Sequence, residues 1–468
     1  DVCDSDDICE GGDDDRDFDG DGVPDFCDPC PVDNPDDTDG DGVCDSDDPC
    51  PLDNPDDTDN DGVCDSDDPC PLDSPDDTDF DGICDSDDLC YGDNATGDSD
   101  SDTVCDNLDA CPGLDDRTAC DPPADVICVR AGSPGVADGS NWYHAYNDLR
   151  SALLAATAGD EIWVAAGTYM PDGGYIPVGG TFTPGIGGRA HSFTLLNSVL
   201  IVGGFAGTEN ERDQRDLFTH KTILSGDING NTAPGGNSYN VVVGDGTAAS
   251  AVLNGFTITG GNAEGAGSSQ GRGGGIRIEN GNARITFCTF LDNTAKFTGG
   301  GAYIELGSPR LNHCTFSGNS ARDGGGVYCD ASNLQLNNCV FTGNFTEGAG
   351  TGGGGMYIFN ASPSITNCTF AENRTLQSIG RGGGVYSTLG SPDIANSIFW
   401  GNEDNNQTGS ALQFEQITGV PFVRYCCIQD EVPNDGSIPF GAAGQGNTDR
   451  NPKFVDLAGS DFVVGTAD

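Results

Sequence analysis

Across its 468 residues the chain sets 77 acidic side chains against 19 basic ones, a formal net charge of -58, and Asp dominates residues 1–122. A field of this sign repels nucleic acid and anionic membrane surfaces, which excludes both as partners. The acidic segment is too poor in apolar residues to order itself by burial, so disulfides or metal ions must supply the order.

Both are written into the segment. Of the 21 cysteines, 14 fall between Cys3 and Cys128 at regular intervals, a disulfide framework made in an oxidising compartment and hence a secreted or cell-surface protein. No signal peptide precedes it and no apolar run is long enough for a membrane span, so the chain reads as mature or partial sequence. From Asp37 the motif Asp-Thr-Asp-Gly-Asp-Gly-Val-Cys-Asp-Ser-Asp-Asp-Pro-Cys-Pro recurs every 20 residues, with small changes, from Asp57 and Asp77.

The motif aligns with a calcium loop in which carboxylates alternate along the chain, one backbone carbonyl joins them and glycine makes the sharp turn. The first copy supplies Asp37, Asp39, Asp41, Val43, Asp45 and Asp48 around Gly42. In the same register stand Asp57, Asp59, Asp61, Val63, Asp65 and Asp68, then Asp77, Asp79, Asp81, Ile83, Asp85 and Asp88. An earlier copy is Asp17, Asp19, Asp21, Val23, Asp25 and Asp28; a later one is Asp98, Asp100, Asp102, Val104, Asp106 and Asp109, with Thr103 in place of the glycine. Hard oxygen ligands in this number suit multiple Ca²⁺ ions rather than Mg²⁺, and the absence of flanking helical pattern excludes paired EF-hands. Asp53 and Asp56 between the loops are consistent with more than one ion per repeat.

Together with Cys-Pro and Asn-Pro-Asp-Asp, these loops resemble thrombospondin type 3 repeats over about residues 1–120. The resemblance implies a chain wrapped around a row of calcium ions and the pairs Cys30–Cys44, Cys50–Cys64, Cys70–Cys84 and Cys90–Cys105. Val2 to Asp7 matches the back half of a repeat, so Cys3 is expected to have lost a partner upstream.

Residues 123–140 read as a linker. Residues 141–159 predict a helix with Leu149, Ala152, Leu153 and Ala156 on one face and Gly159 at its end, followed by an apolar strand at Glu161–Ala165. The pair resembles the amphipathic cap that closes the N-terminal end of a parallel β-helix.

From about residue 250 a second repeat appears in Cys288-Thr-Phe290, Cys314-Thr-Phe316, Cys339-Val-Phe341, Cys368-Thr-Phe370 and Ser397-Ile-Phe399. Three residues after each Phe stands Asn293, Asn319, Asn344, Asn373 or Asn402, and a Gly-Gly-Gly run precedes each of Ile276, Ala302, Val327, Met356 and Val385. One such unit is about one turn of a solenoid. Period-2 alternation sends Ile285, Cys288 and Phe290 inward, so equivalent residues stack as ladders, with Asn bonding along the stack. These motifs, over about 250–415, resemble bacterial polymorphic outer-membrane proteins and autotransporter passengers, and 141–468 resembles secreted bacterial β-helix proteins more generally. The expected fold is thus mostly β: a right-handed parallel β-helix over 141–468 with an N-terminal capping helix, preceded by an irregular calcium- and disulfide-stabilised repeat stalk over 1–122.

No catalytic residue and no organic cofactor is identified. Asn447-Thr448-Asp449 lacks the His-Gly and Arg-Ile-Lys partners of polygalacturonase-like enzymes, and Arg272, Arg277, Arg284, Arg310, Arg322, Arg374, Arg381 and Arg424 are scattered without a repeated acidic pair. His144, His191, His220 and His313 are isolated, which excludes a zinc site. Tyr303, Tyr328, Tyr357 and Tyr386 alternate with inward residues and predict an outward aromatic stripe, one ring per coil. The expectation is a non-enzymatic structural protein of a bacterial cell surface or filament, acting by self-association or on cell-surface components; the alternatives are a polysaccharide-binding adhesin and a pectate-lyase-like enzyme.

Overall fold

The computed structural model describes residues 9–452 except 10–11, 13–14, 75–82, 85, 87–122, 124–125, 186–187, 232–233, 268, 348–351, 377–380, 405–414, 431–439 and 441–445. The chain divides into two compact units, Asp1–Arg117 and Thr118–Asp468.

In the first unit the described residues form neither helix nor strand. Side chains bind the backbone instead. Asp37 accepts from the N–H groups of Gly40 (2.6 Å) and Gly42 (2.9 Å), and Asp41 from that of Val43 (2.8 Å). The same turns recur at Asp17 and Asp57. Gly42 sits at φ +98°, a conformation open to glycine and strained for other residues. Disulfides join Cys9–Cys27, Cys30–Cys44, Cys50–Cys64 and Cys70–Cys84. The last three are the pairs implied by the repeat; the first was not read from sequence. Cys3 and the Cys90–Cys105 pair lie outside the described residues.

The second unit is a right-handed parallel β-helix whose coils feed four sheets, of ten, ten, eight and six strands. β1 (Val126–Val129) lies in the stretch read as a linker and pairs in parallel with β2 (Glu161–Ala165). Helix α1 is shorter than the pattern predicted, Leu149–Ala155, because Asp148 caps it by accepting from Ser151 N–H, and before that Tyr146 bridges to Val129. Leu149 and Ala152 face the solenoid core, as a cap requires.

A regular coil runs through Ile276–Gly281, Arg284–Thr286, Thr289–Leu291 and Thr294–Thr298 before rejoining the first sheet at Ala302–Gly307. Register between coils is in step: Phe290 pairs with Phe316, Phe316 with Phe341, Phe341 with Phe370, and Phe370 with Phe399. The rings stack at 4.6, 4.8, 4.4 and 4.8 Å and are fully buried. Cys288, Cys314, Cys339 and Cys368 form the expected interior column, each 1% exposed, and burial pushes the Cys288 thiol up to about 11.

The asparagines form a hydrogen-bonded ladder at one corner. Asn344 Nδ2 donates to Phe316 O and to Asn373 Oδ1, both at 2.8 Å, and its own Oδ1 accepts from Asn319 Nδ2 at 2.9 Å. The ladder ends at Asn402, whose Nδ2 donates to Gln416 Oε1. The glycine run at the next corner has a steric cause: a Cβ at Gly325 would press into the Phe345 carbonyl of its own coil.

Candidate functional site

Two groups of side chains carry chemistry, one in each unit. In the first, carboxylate oxygens gather at Asp17, Asp19 and Asp21, at Asp37, Asp39 and Asp41, and at Asp57, Asp59 and Asp61, each group within 4.8 Å. Two further groups, Asp19 with Asp28 and Asp36, and Asp39 with Asp48 and Asp56, share their first member with these. Asp36 and Asp56 therefore join the sites although they were not among the assigned loop ligands.

The carboxyl groups of Asp19, Asp39 and Asp59 are pushed above their ordinary range, first by desolvation and then by neighbouring carboxylates. One oxygen of each is enclosed and makes no hydrogen bond. An acceptor-only, oxygen-only donor set with an unpaired enclosed oxygen fits a hard divalent cation.

Asp25, Asp45 and Asp65, also assigned as ligands, accept hydrogen bonds within their own loops. Asp45 accepts from both N–H and O–H of Thr38, Asp65 does the same for Thr58, and Asp25 accepts from Phe18 N–H and pairs with Arg16 at 2.9 Å. They brace the loops. Asp77, Asp79, Asp81, Asp85, Asp88 and the loop from Asp98 through Asp100, Asp102, Val104, Asp106 and Asp109 lie outside the described residues.

In the β-helix, the eight-stranded sheet turns two rows of side chains away from the core. Arg277, Tyr303, Tyr328, Tyr357 and Tyr386 are successive partners in one row; Glu279, Glu305, Asp330, Phe359 and Thr388 are partners in the next. The tyrosine register is as predicted, yet the stripe is not freely exposed. Tyr303 is 1% and Tyr357 8% accessible, with Tyr328 and Tyr386 half-buried. The rings pack on one another at 5.6, 5.1 and 5.0 Å, and Arg272 lies over Tyr303 at 5.0 Å.

Around these rows the charges are concentrated. Arg272 Nη1 donates to the Tyr303 hydroxyl at 2.6 Å, and that hydroxyl donates to Glu305 at 3.0 Å. Arg277 binds Asp245 at 2.5 Å and reaches Asn240 at 3.2 Å. Desolvation raises Glu279, with Arg277 opposing and Asp245 and Glu305 adding to the rise. Desolvation and then Glu305 raise Asp330. A cleft of about 310 Å³ opens at the head of the same face, lined by Tyr239, Asn240, Ser269, Gln270 and Arg277.

No repeated Asp pair was expected beside the β-helix arginines; the structure instead aligns one acid from each of three coils near Arg272 and Arg277. Glu279, Glu305 and Asp330 come from three coils, so no sequence motif joins them; only the Tyr/Arg-x-Glu/Asp step shared by Arg277-Ile-Glu279, Tyr303-Ile-Glu305 and Tyr328-Cys-Asp330 signalled the row. Asn447 is structural: its side chain accepts from Cys426 N–H at 3.0 Å and donates to Val423 O at 3.1 Å. Among the described residues no histidine joins a metal-binding cluster.

Residues 225–399 match the family model described as right handed beta helix region. No curated protein matches the chain. Among solved structures, pectin methylesterase PemA from Erwinia chrysanthemi is similar at 12% identity over 64% of this chain and 82% of that one, with a TM-score of 0.33. Pectate lyase Pel9A is similar at 12% identity over 66% and 62%, TM-score 0.29. The tailspike gp49 of Acinetobacter baumannii bacteriophage Fri1, a capsular polysaccharide depolymerase, is similar at 14% identity over 58% and 50%, TM-score 0.26. Each of these neighbours is named as an enzyme, a pectin methylesterase, a pectate lyase and a polysaccharide depolymerase, so the expectation of a chain without enzymatic activity is not kept. At such identities and scores the likeness to this chain is one of fold alone.

Proposed function

We propose that the β-helix binds a polysaccharide along the tyrosine and carboxylate rows of its eight-stranded sheet, and that Glu279 and Asp330 equip the bound site for acid–base chemistry. The observation that carries this reading is the pair of adjacent rows: four tyrosines in mutual ring contact beside Glu279, Glu305 and Asp330, with Arg272 and Arg277 among them. Aromatic faces take sugar rings. Desolvated carboxyl groups, whose protons are held above the ordinary range, are the groups that glycan chemistry uses as acids. The structural or filament role gains support from no specific contact described in either unit.

The test is a panel of polysaccharides screened by affinity electrophoresis and by release of reducing or unsaturated ends, with wild-type protein and the Tyr328→Ser, Tyr357→Ser double variant. Retarded migration that the double variant loses supports the reading. Equal migration of both proteins on every polysaccharide overturns it. Sedimentation of the same samples reads self-association, the other expected behaviour.

For the first unit we propose several calcium ions per chain. Asp17, Asp19, Asp21, Asp28 and Asp36 would hold them in the first repeat, and Asp37, Asp39, Asp41, Asp48 and Asp56 in the second. The ions would neutralise carboxylates that otherwise repel one another, ordering a segment without an apolar core. The disulfides support a secreted or cell-surface location.

A further inference from the structure

We propose that the buried thiol column of Cys314, Cys339 and Cys368 is a binding site for a monovalent soft cation, copper(I) being the ion its geometry and charge suit. The proposal depends neither on the tyrosine row nor on the calcium loops. Every described cysteine of the first unit is in a disulfide, whereas Cys288, Cys314, Cys339 and Cys368 are free thiols on four consecutive coils of the β-helix. Packing alone does not require sulfur there, since the same buried position holds Phe256 in the coil before and Ser397 in the coil after.

The sulfurs stand in single file. Cys314 O accepts from Val340 N–H and Cys339 O from Thr369 N–H, both at 2.9 Å, so the three cysteines lie one coil apart in step. Cys314 Sγ lies 3.5 Å from the carbonyl oxygens of Ile285 and Asn312, and Cys339 Sγ lies 3.4 Å from those of Leu311 and Asn337, the same seat one coil on. Those oxygens are the negative ends of their dipoles, and they favour a cation in the column over a bare thiolate. The Cys314 and Cys368 thiols both hydrogen-bond to that of Cys339, one from each side, and these bonds draw the Cys339 thiol well below its ordinary range. Burial first, and the bond to Cys339 second, hold Cys314 above it. Cys339 is thus the sulfur that a metal ion meets as thiolate.

Thiol and thiolate ligands select soft ions, while hard ones take oxygen. Neighbouring coils repeat at the strand spacing of about 4.8 Å. Two metal–sulfur bonds placed end to end span nearly that distance when each is taken at about 2.3 Å, the zinc–thiolate value. The column therefore fits an ion held linearly between two sulfurs. Zinc and iron–sulfur clusters need ligands gathered around a point, which a file of sulfurs along one sheet does not supply.

Charge decides the valence. The ion replaces one proton, which leaves to water: Cys339 binds as thiolate and Cys314 or Cys368 as neutral thiol. With copper(I) the dry interior then carries no net charge, as its low polarity requires. A divalent ion would need a second proton from Cys314 or Cys368, both of which are held above the ordinary thiol range. The four thiols are each 1% exposed, so the ion enters while the coils are open and afterwards ties neighbouring coils together through the core.

The experiment uses the full chain with its disulfides intact, under argon, and copper(I) presented as its bicinchoninate complex, both to the folded protein and during refolding from urea. Wild type is expected to take one copper(I) per chain from the probe, to show two sulfur neighbours at the copper absorption edge, and to melt higher than the metal-free protein. Cys339→Ser, which places in the column the residue Ser397 already supplies, is expected to lose both the ion and the rise in melting temperature. Cys314→Ser with Cys368→Ser, which leaves Cys339 without a sulfur neighbour in the column, is expected to do the same, and it decides the matter if Cys339→Ser does not fold. Cys427→Ser, which removes a half-buried thiol outside the column, keeps both. The proposal is overturned by no transfer under either condition, by oxygen or nitrogen neighbours around the copper, by a folded column variant that binds as wild type, or by loss in Cys427→Ser. It is also overturned if mass mapping of the native protein finds Cys339 in a disulfide with Cys314 or Cys368.

Discussion

Arg272 both donates to the Tyr303 hydroxyl, 2.6 Å away, and covers the ring of the same residue at 5.0 Å from its centroid. One guanidinium therefore closes the end of the tyrosine row and links it to Glu305, 4.0 Å distant. Arg272→Ala is expected to open Tyr303 to acrylamide quenching and to lower stability by about 1–2 kcal/mol, the sum of a cation–π contact and a charge-assisted bond. Quenching equal to wild type would show that something other than Arg272 shields the ring.

Asp330 lies between Glu305 and Phe359 in its row, and its carboxyl group is raised from an ordinary value of 3.8 by desolvation first and by Glu305 second. A carboxyl raised in the folded state binds its proton more tightly there than in the unfolded chain. Stability is therefore intact below the ordinary value, falls as pH rises through it, and reaches its full penalty above the folded value. Asp330→Asn is expected to raise the melting temperature at pH 7 and to leave it unchanged at pH 3. A variant that melts lower at pH 7 contradicts this electrostatic account.

Asn344 is fully buried and satisfies four partners across three coils. Asn344→Ala leaves the Phe316 carbonyl and the Asn319 and Asn373 side chains short of partners, which costs about 3 kcal/mol. Chemical denaturation followed by far-ultraviolet dichroism measures it. A loss below about 1 kcal/mol would mean that water enters the corner and replaces the amide.

Asp39 belongs to two carboxylate groups and Asp45 to none. Chelator is expected to render the first unit protease-sensitive while the β-helix stays resistant. By equilibrium dialysis, Asp39→Ala should lose more bound calcium than Asp45→Ala. Equal resistance of the first unit with and without chelator would rule out calcium as its source of order.

The inward half of the β-helix was legible from the chain alone, because alternation and coil length act locally: once Cys288 and Phe290 point inward, Phe316 and Phe341 must stack on Phe290. The Asn ladder followed from repeats within one or two coils, the cap at Leu149 and Ala152 from the amphipathic helix pattern, and the Cys30–Cys44 type of pairing from what the resemblance of the acidic repeats implied. The outward half was not legible. No local rule ties Glu279, Glu305 and Asp330 together, since outward positions tolerate most residues and become neighbours only when coils stack at strand spacing. Depth was equally hidden: Tyr303 and Tyr328 share one pattern, yet Arg272 buries the first and leaves the second half-exposed. In the acidic loops spacing alone made Asp41 and Asp45 equivalent candidates. The fold separates them, turning Asp41 toward Asp37 and Asp39 and Asp45 back onto Thr38, because a loop that gathers carboxylates also needs one to hold its own backbone closed.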